Sequence, residues 1–270
     1  MRLLSLDERG SLAWEEFSQD IPPYAILSHT WGRDEVSFVD LVDGQAQKKA
    51  GYRKIVFCGE QARRDGLGYF WVDTCCIDKR SSAELTTAIN SMFRWYRGAV
   101  KCYVYLSDVS SSAAGLDAEE YQSAWEADFR KSRWFTRGWT LQELLAPACV
   151  EFYASQHQRL GSKESIRPII HEITEIPIEA LAGQPLDTFS TEERLAWAAG
   201  RQTTEPEDEA YCLLGIFGVS ISLRYGSGKD DALARLHKKL GRPPIVAAQD
   251  TIATVGNLRL DTKGVAASKW

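Results

Sequence analysis

Tyr24-Ala25-Ile26-Leu27-Ser28-His29-Thr30-Trp31-Gly32 is the stretch on which the fold turns. Its first half is continuously apolar rather than alternating, the pattern of a strand covered on both faces, and its second half becomes polar and closes on glycine. Three further runs repeat the first half: Tyr69-Phe70-Trp71-Val72-Asp73, Cys102-Tyr103-Val104-Tyr105-Leu106 and Cys149-Val150-Glu151-Phe152-Tyr153. Four short apolar runs rich in aromatic and β-branched residues point to a parallel sheet.

The segments between them carry helical period. Leu85, Ile89, Met92, Phe93 and Tyr96 recur at spacings of three and four, and Ser81-x-x-Glu84 is a capping-box signature at the start. A weaker segment runs from about Lys48 to Arg64, with Ile55, Cys58 and Ala62 inward. Strand and helix alternate, so right-handed crossovers should set helices on both faces of an α/β sheet. After about residue 160 the strand signal stops. Ser190-x-x-Glu193 and Thr204-x-x-Glu207 read as capping boxes of two helices, the first with Leu195 and the second continuing through Leu213, Leu214 and Phe217. Gly200 and Gly218 are their expected stops, and a last helix carries Leu233, Leu236 and Leu240. The predicted organisation is an α/β core over 1–160, a helical extension over 161–240, and a linker or poorly ordered tail over 241–270.

Composition narrows the function classes. An apolar share of 44% in 270 residues is enough for a real core and excludes a disordered chain. The net charge is −5 and the basic residues are scattered, which leaves no footprint for a phosphate backbone, so nucleic acid is not an expected partner. No apolar run approaches the roughly 20 residues that span a bilayer, and the opening Met1-Arg2-Leu3-Leu4-Ser5-Leu6-Asp7-Glu8 lacks a secretion signal. A soluble cytoplasmic protein is expected. The six cysteines form no CxxC pair, and with four histidines they lack zinc-ligand spacing. Buried reduced thiols and no metal are the expectation.

Ligands of an open parallel sheet bind beyond the carboxyl ends of its strands. Polar residues gather at three such exits: Ser28-His29-Thr30-Trp31, Asp73 through Asp78, and Ser107-Asp108. Ser28 is a candidate lining residue. Trp31 reads either as a wall that stacks on a ligand ring or as an indole packed in a turn. His29 reads as a phosphate or water ligand or as a ring hydrogen-bonded in place. Asp73 is open between ribose hydroxyls and helix capping, whereas Asp78 leans to capping. The segment Arg137 to Ala146 reads as a helix that buries Leu141, Leu144 and Leu145 and sets Trp139 one turn from Glu143. Glu143 is then a carboxylate beside an aromatic platform, or the partner of Thr140 in a capping box; Pro147, so close behind, weakens the second reading. Cys75 or Cys76 with His29 raises a thiol hydrolase, which needs a base within hydrogen-bond reach. Of the nine tryptophans, Trp31 and Trp139 are the expected cleft walls and most others core.

Pro23 to Gly32, Phe70 to Asp78, Ala88 to Tyr96, Cys102 to Leu106, Arg137 to Pro147, Arg201 to Thr204, Glu207-Asp208 and Tyr211 to Gly218 fall in order across residues 1 to about 240. On these motifs the chain resembles the HET domain, the effector module of fungal heterokaryon-incompatibility proteins. It departs at Tyr225-Gly226-Ser227-Gly228, where relatives tend to have Tyr-Gly-Glu-Gly. Family members of this type often continue into a nucleotide-binding switch domain and a repeat domain. Nothing after Gly241 resembles either, and the phosphate-cradling GxxxxGK[ST] is absent.

Tyr24-x-x-Leu27-Ser28 with Gly32-Arg33-Asp34, then Leu106-Ser107, then Trp139-x-x-x-Glu143-Leu144 also resembles, more distantly, the motif order of Toll/interleukin-receptor (TIR) domains. In their enzymatic branch a glutamate on the helix before the fourth strand supports cleavage of the nicotinamide–ribose bond of NAD, and Glu143 falls on that position. The resemblances imply a TIR-like, flavodoxin-like open and mostly parallel α/β sheet with a helical extension. They imply a cell-death effector that takes NAD as substrate, requires no cofactor, self-associates on activation and relies on Glu143. Ser28, His29, Trp31, Asp73 and Trp139 are the matching candidates for holding NAD. The competing expectation is a non-enzymatic oligomerising signalling module in which Glu143 is structural.

Overall fold

A computed structural model describes residues 1–7, 10–111 and 118–241. The tail expected beyond Gly241 lies outside the described residues. Seven strands, β1 (Arg2–Leu6), β2 (Leu12–Glu16), β3 (Tyr24–His29), β4 (Tyr69–Trp71), β5 (Lys101–Leu106), β6 (Val150–Ala154) and β7 (Arg159–Ser162), form one sheet in the order β2-β1-β4-β3-β5-β6-β7. The four apolar runs are its centre: β4, β3, β5 and β6 pair in parallel. The α/β sheet is mostly parallel and open, as the sequence implied.

The flanking strands were not anticipated. β1, β2 and β7 pair antiparallel at the two sides of the parallel set. β2 is largely exposed, and β7, Arg-Leu-Gly-Ser, falls where strand content was expected to stop. Neither carries the apolar run of a central strand; a neighbour's unpaired edge imposes their conformation, which local preference does not announce.

From β3 the chain crosses to β4 on one side and then returns to β5 on the other, so the strand order reverses at β3/β5. A crevice opens at that switch, because the two crossovers leave in opposite directions. The helices are α1 (Phe38–Val42), α2 (Tyr52–Arg64), α3 (Ser82–Gly98), α4 (Ala118–Arg130), α5 (Thr140–Leu145), α6 (Arg167–Thr174), α7 (Ile178–Leu181), α8 (Thr191–Ala196), α9 (Asp208–Tyr211) and α10 (Lys229–Lys239). α2 packs on β1, β3 and β4, and α5 packs on β3 and α3. Ser28 reaches α5 while its neighbour His29 reaches α2. Successive strand residues point to opposite faces, so the two helices cover opposite faces of β3.

Local expectations hold unevenly. Ser81 caps α3 by accepting from the Glu84 N–H at 3.2 Å, but the Glu84 carboxylate turns away to Asp78 N–H and Arg2. Asp78 caps no helix; it holds the Arg80 backbone and guanidinium. Ser190 and Glu193 form the full box on α8. Thr204 and Glu207 form none, since Thr204 accepts from Arg137 and the Glu207 carboxylate accepts from Gly228 N–H at 2.7 Å. The expected helix through Phe217 is therefore only α9 followed by turns. Gly200 and Gly218 do stop their segments, at φ 75 and 64, where a glycine is unstrained.

The helix expected over 137–146 shortens to α5, preceded by a 3-10 turn at Arg133–Thr136. The backbone between them is committed elsewhere: Gly138 N–H donates to Gln202 carbonyl at 2.9 Å, and Gln202 N–H to Thr136 carbonyl at 2.7 Å. A methyl on Gly138 would sit 2.6 Å from the Thr203 side chain, so any larger residue would force this join to shift. Through such contacts Trp197, Tyr211 and Leu236 of the extension enter the same core as Trp134 and Phe152.

Candidate active site

A cleft of about 480 Å³ opens at the carboxyl ends of β3 and β4. His29, Thr30, Trp31 and Asp73 supply one wall from the strand exits, and Ile77, Leu85, Ile89 and Met92 supply an apolar wall from α3 and the loop before it. Trp139, Thr140 and Glu143 rise from α5 and its N-cap, and Asp208 and Tyr225 close the cleft from the extension.

Glu143 is the floor. It is 6% exposed, and one oxygen accepts the Ser28 hydroxyl, which in turn accepts Trp134 Nε1–H at 2.8 Å. The Tyr96 hydroxyl is its second side-chain partner. The single Tyr96 hydrogen goes to the Leu27 carbonyl at 2.9 Å, which leaves the phenol oxygen to accept from a protonated Glu143. Burial first and the Asp73 charge second push the Glu143 pKa up to about 8, against the opposing pull of the Ser28 hydroxyl and the Arg201 charge. Its surroundings favour the protonated, neutral form of the floor at neutral pH.

Asp73 has the opposite setting. Its Oδ1 is 3.0 Å from His29 Nε2 and its Oδ2 accepts Trp31 Nε1–H at 2.8 Å. Lys54 has only donors to offer, so its contact with His29 Nδ1 at 3.3 Å assigns the ring proton to Nε2, which donates to Asp73. Lys54 is itself buried and fixed by Glu35 and the Thr30 carbonyl. Burial opposes ionisation of Asp73, but the His29 bond, the Lys79 charge and the Trp31 N–H outweigh it and hold the carboxyl below its ordinary range.

Extension and core share the third wall. Asp208 accepts Trp139 Nε1–H at 2.8 Å and Tyr225 O–H at 2.7 Å, and burial leaves its pKa raised despite both donors. Arg201 donates to the Arg137 carbonyl at 3.0 Å and to Thr140 Oγ1 at 3.1 Å, tying the start of α5 to the extension.

The sequence candidates therefore converge, with corrections. Trp31, half exposed, Asp73, Trp139 and Glu143 all face the cleft. Ser28 does not line it; fully buried, it sits behind Glu143 as a support. His29 lines the cleft but is held between Lys54 and Asp73, the hydrogen-bonded reading. Thr140 donates to the Trp134 and Arg137 carbonyls instead of capping α5, whose N-cap is Trp139, so Glu143 completes no capping box. The third exit is structural: Asp108 holds Ser132 and the Arg133 N–H. Cys75 and Cys76 are buried and absent from the cleft lining, and burial drives the Cys75 thiol well above its ordinary range. All six cysteines are free. Lys54, Tyr96, Trp134 and Tyr225 were not singled out as site residues. Tyr96 and Trp134 look like core in any apolar pattern, and only tertiary contact shows that their polar tips serve Glu143.

Residues 24–122 match the profile of the heterokaryon incompatibility protein (HET) family. The chain is also 55% identical over 246 residues to Vegetative incompatibility protein HET-E-1 of Podospora anserina, a match covering 90% of this chain and 18% of that protein. This chain carries a HET domain. The family profile spans Ser28, His29, Trp31 and Asp73 but ends before Trp139 and Glu143, so the cleft of this HET domain also draws on residues outside the profile. No solved structure matches the chain. Among the described residues no helix is long and apolar enough to cross a membrane.

Proposed function

We propose that this HET domain is a cell-death effector in heterokaryon incompatibility and acts, when assembled, by hydrolysing the nicotinamide–ribose bond of NAD. The observation that carries the reading is the pairing of a buried glutamic acid on the cleft floor with an ionised aspartate on its wall. Two carboxyl groups whose environments force their pKa values apart are the hallmark of assigned acid–base roles. The incompatibility role is supported by the named relative, whose length this chain covers only to 18%; the NAD chemistry is supported by the cleft and by the distant resemblance to TIR enzymes.

The chemistry follows from charge. The nicotinamide ring of NAD is cationic, and its approach favours the ionised form of Glu143, whose pKa near 8 means that little free energy is needed to release the proton. The carboxylate then faces the ribose as the nicotinamide departs neutral, and it stabilises the oxocarbenium character that develops at the anomeric carbon. A water attacks that carbon and its proton passes to Glu143, a base poised near the working pH, before release to solvent. Ionised Asp73 adds negative potential and holds Trp31 by its N–H as a ring-stacking wall. Ser28 orients Glu143 from behind. The apolar wall of Leu85, Ile89 and Met92 limits water beside the reacting bond.

The test is nicotinamide release from NAD by purified protein, in dilute solution and artificially clustered. Release that disappears in Glu143→Gln and persists in Cys75→Ser upholds the reading. Toxicity in cells that survives Glu143→Gln while NAD stays constant overturns it in favour of a non-enzymatic signalling module.

A further inference from the structure

Two cations in the cleft touch no part of the substrate in the chemistry above, although the Lys79 charge helps keep Asp73 ionised. The Lys79 ammonium lies 3.6 Å from the centroid of the Trp31 ring, and Arg137 donates through Nη2 to the neutral Thr204 hydroxyl at 2.9 Å. Both line the cleft, Lys79 from the loop after β4 and Arg137 from the segment before α5. Neither forms an ion pair among the described residues, whereas Arg2, Lys49, Lys54, Lys101 and Arg130 all do. Asp73 acts on Lys79 through its charge without forming an ion pair with it. An indole beneath an ammonium fixes its position without neutralising it, and a guanidinium with one donor engaged keeps the rest of its fork.

We infer that Lys79 and Arg137 form a diphosphate-binding pair, so that the cleft takes a dinucleotide or nucleoside diphosphate rather than a nucleoside. The inference rests on the proposed reaction for the identity of the ligand, and it names the part of NAD gripped away from the bond that breaks. Charge-assisted bonds from a guanidinium fork and an ammonium are the usual means of holding phosphate oxygens. The apolar wall of Leu85, Ile89 and Met92 accepts a ring system at one side of the same cleft.

The experiment is calorimetric titration of ADP-ribose, ADP and adenosine into the wild-type protein, Lys79→Gln and Arg137→Gln. ADP-ribose and ADP should bind at least about tenfold more tightly than adenosine, each substitution should weaken ADP-ribose about tenfold, and neither should alter adenosine. The affinity for ADP-ribose should fall as salt is raised. Lys79 is exposed, so Lys79→Gln keeps the fold and carries the test should Arg137→Gln unfold. Equal affinity for adenosine and ADP-ribose, no binding of either, or an unchanged ADP-ribose affinity in Lys79→Gln overturns the inference. ADP-ribose held through both cations by a protein that leaves NAD intact overturns the reaction and upholds the pair. NAD cleavage with an unchanged KM in both variants upholds the reaction and overturns the pair.

Discussion

The floor and the wall of the cleft each hold a sheltered carboxyl group, and their surroundings push the two pKa values in opposite directions. Glu143 on α5 is surrounded by Ser28, Tyr96 and Trp134, where one hydroxyl donates and the other is already spent on a carbonyl. Asp73 beyond β4 receives one N–H on each oxygen and lies near the Lys79 ammonium. Burial pushes both pKa values upward; the number of donors aimed at each decides which carboxyl yields. The wall keeps its charge, and that charge in turn helps keep the floor neutral.

The largest effect should come from removing the floor. Glu143→Gln keeps the shape and the Ser28 contact while deleting the ionisable group, so nicotinamide release should fall by about a hundredfold or more, measured at saturating NAD. Removing the wall charge comes next. Asp73→Asn should lower the Glu143 pKa from about 8, because its like-charged neighbour is gone, and should free Trp31. The rising limb of the pH–rate profile should move to lower pH, with a loss of roughly tenfold in kcat/KM from the released indole.

Stability against pH separates the two regions by sign. The folded chain keeps a proton on Glu143 that the unfolded chain has lost, so this contribution is complete below about 4.5, declines as pH rises and is gone above about 8. Asp73 does the reverse: its contribution is present above the ordinary aspartate range and is lost as pH falls below it. Denaturant unfolding at several pH values should therefore show a shallower decline from pH 5 to 8 in Glu143→Gln than in the wild type. Ser28→Ala should act through both: it leaves the Trp134 indole N–H unpaired, at a cost of about 1–3 kcal/mol in unfolding free energy, and it removes a donor to ionised Glu143, moving the pH–rate midpoint upward. The smallest effect should be Trp31→Phe, which keeps the ring but not the N–H to Asp73 and should cost about 1 kcal/mol or less in stability at this half-exposed site.

Legibility differed between fold and site in a way these residues make plain. The four central strands and α3 were readable because a strand covered on both faces and a one-sided helix leave different periods in the chain. The edge strands were not, since β7 owes its conformation to pairing with β6 rather than to its own residues. Trp31, Asp73, Trp139 and Glu143 could be nominated from their places after strands or on the helix before β6. Ser28 was nominated for the wrong role because a strand-end serine reads alike whether it faces solvent or a neighbouring helix. Asp208 stood inside a recognised motif, and nothing local tied it to Trp139, 69 positions earlier.

The sequence alone determined the parallel set of core strands and the HET resemblance, and it nominated Glu143, because apolar period and motif order are properties of the chain itself. The tertiary structure alone decided the charge on that carboxyl. Ser28 and Glu143 are 115 residues apart, and the Asp73 charge that helps hold the floor neutral arrives from a different strand exit. Burial and like-charge proximity exist only once the crossovers have brought those exits to one crevice.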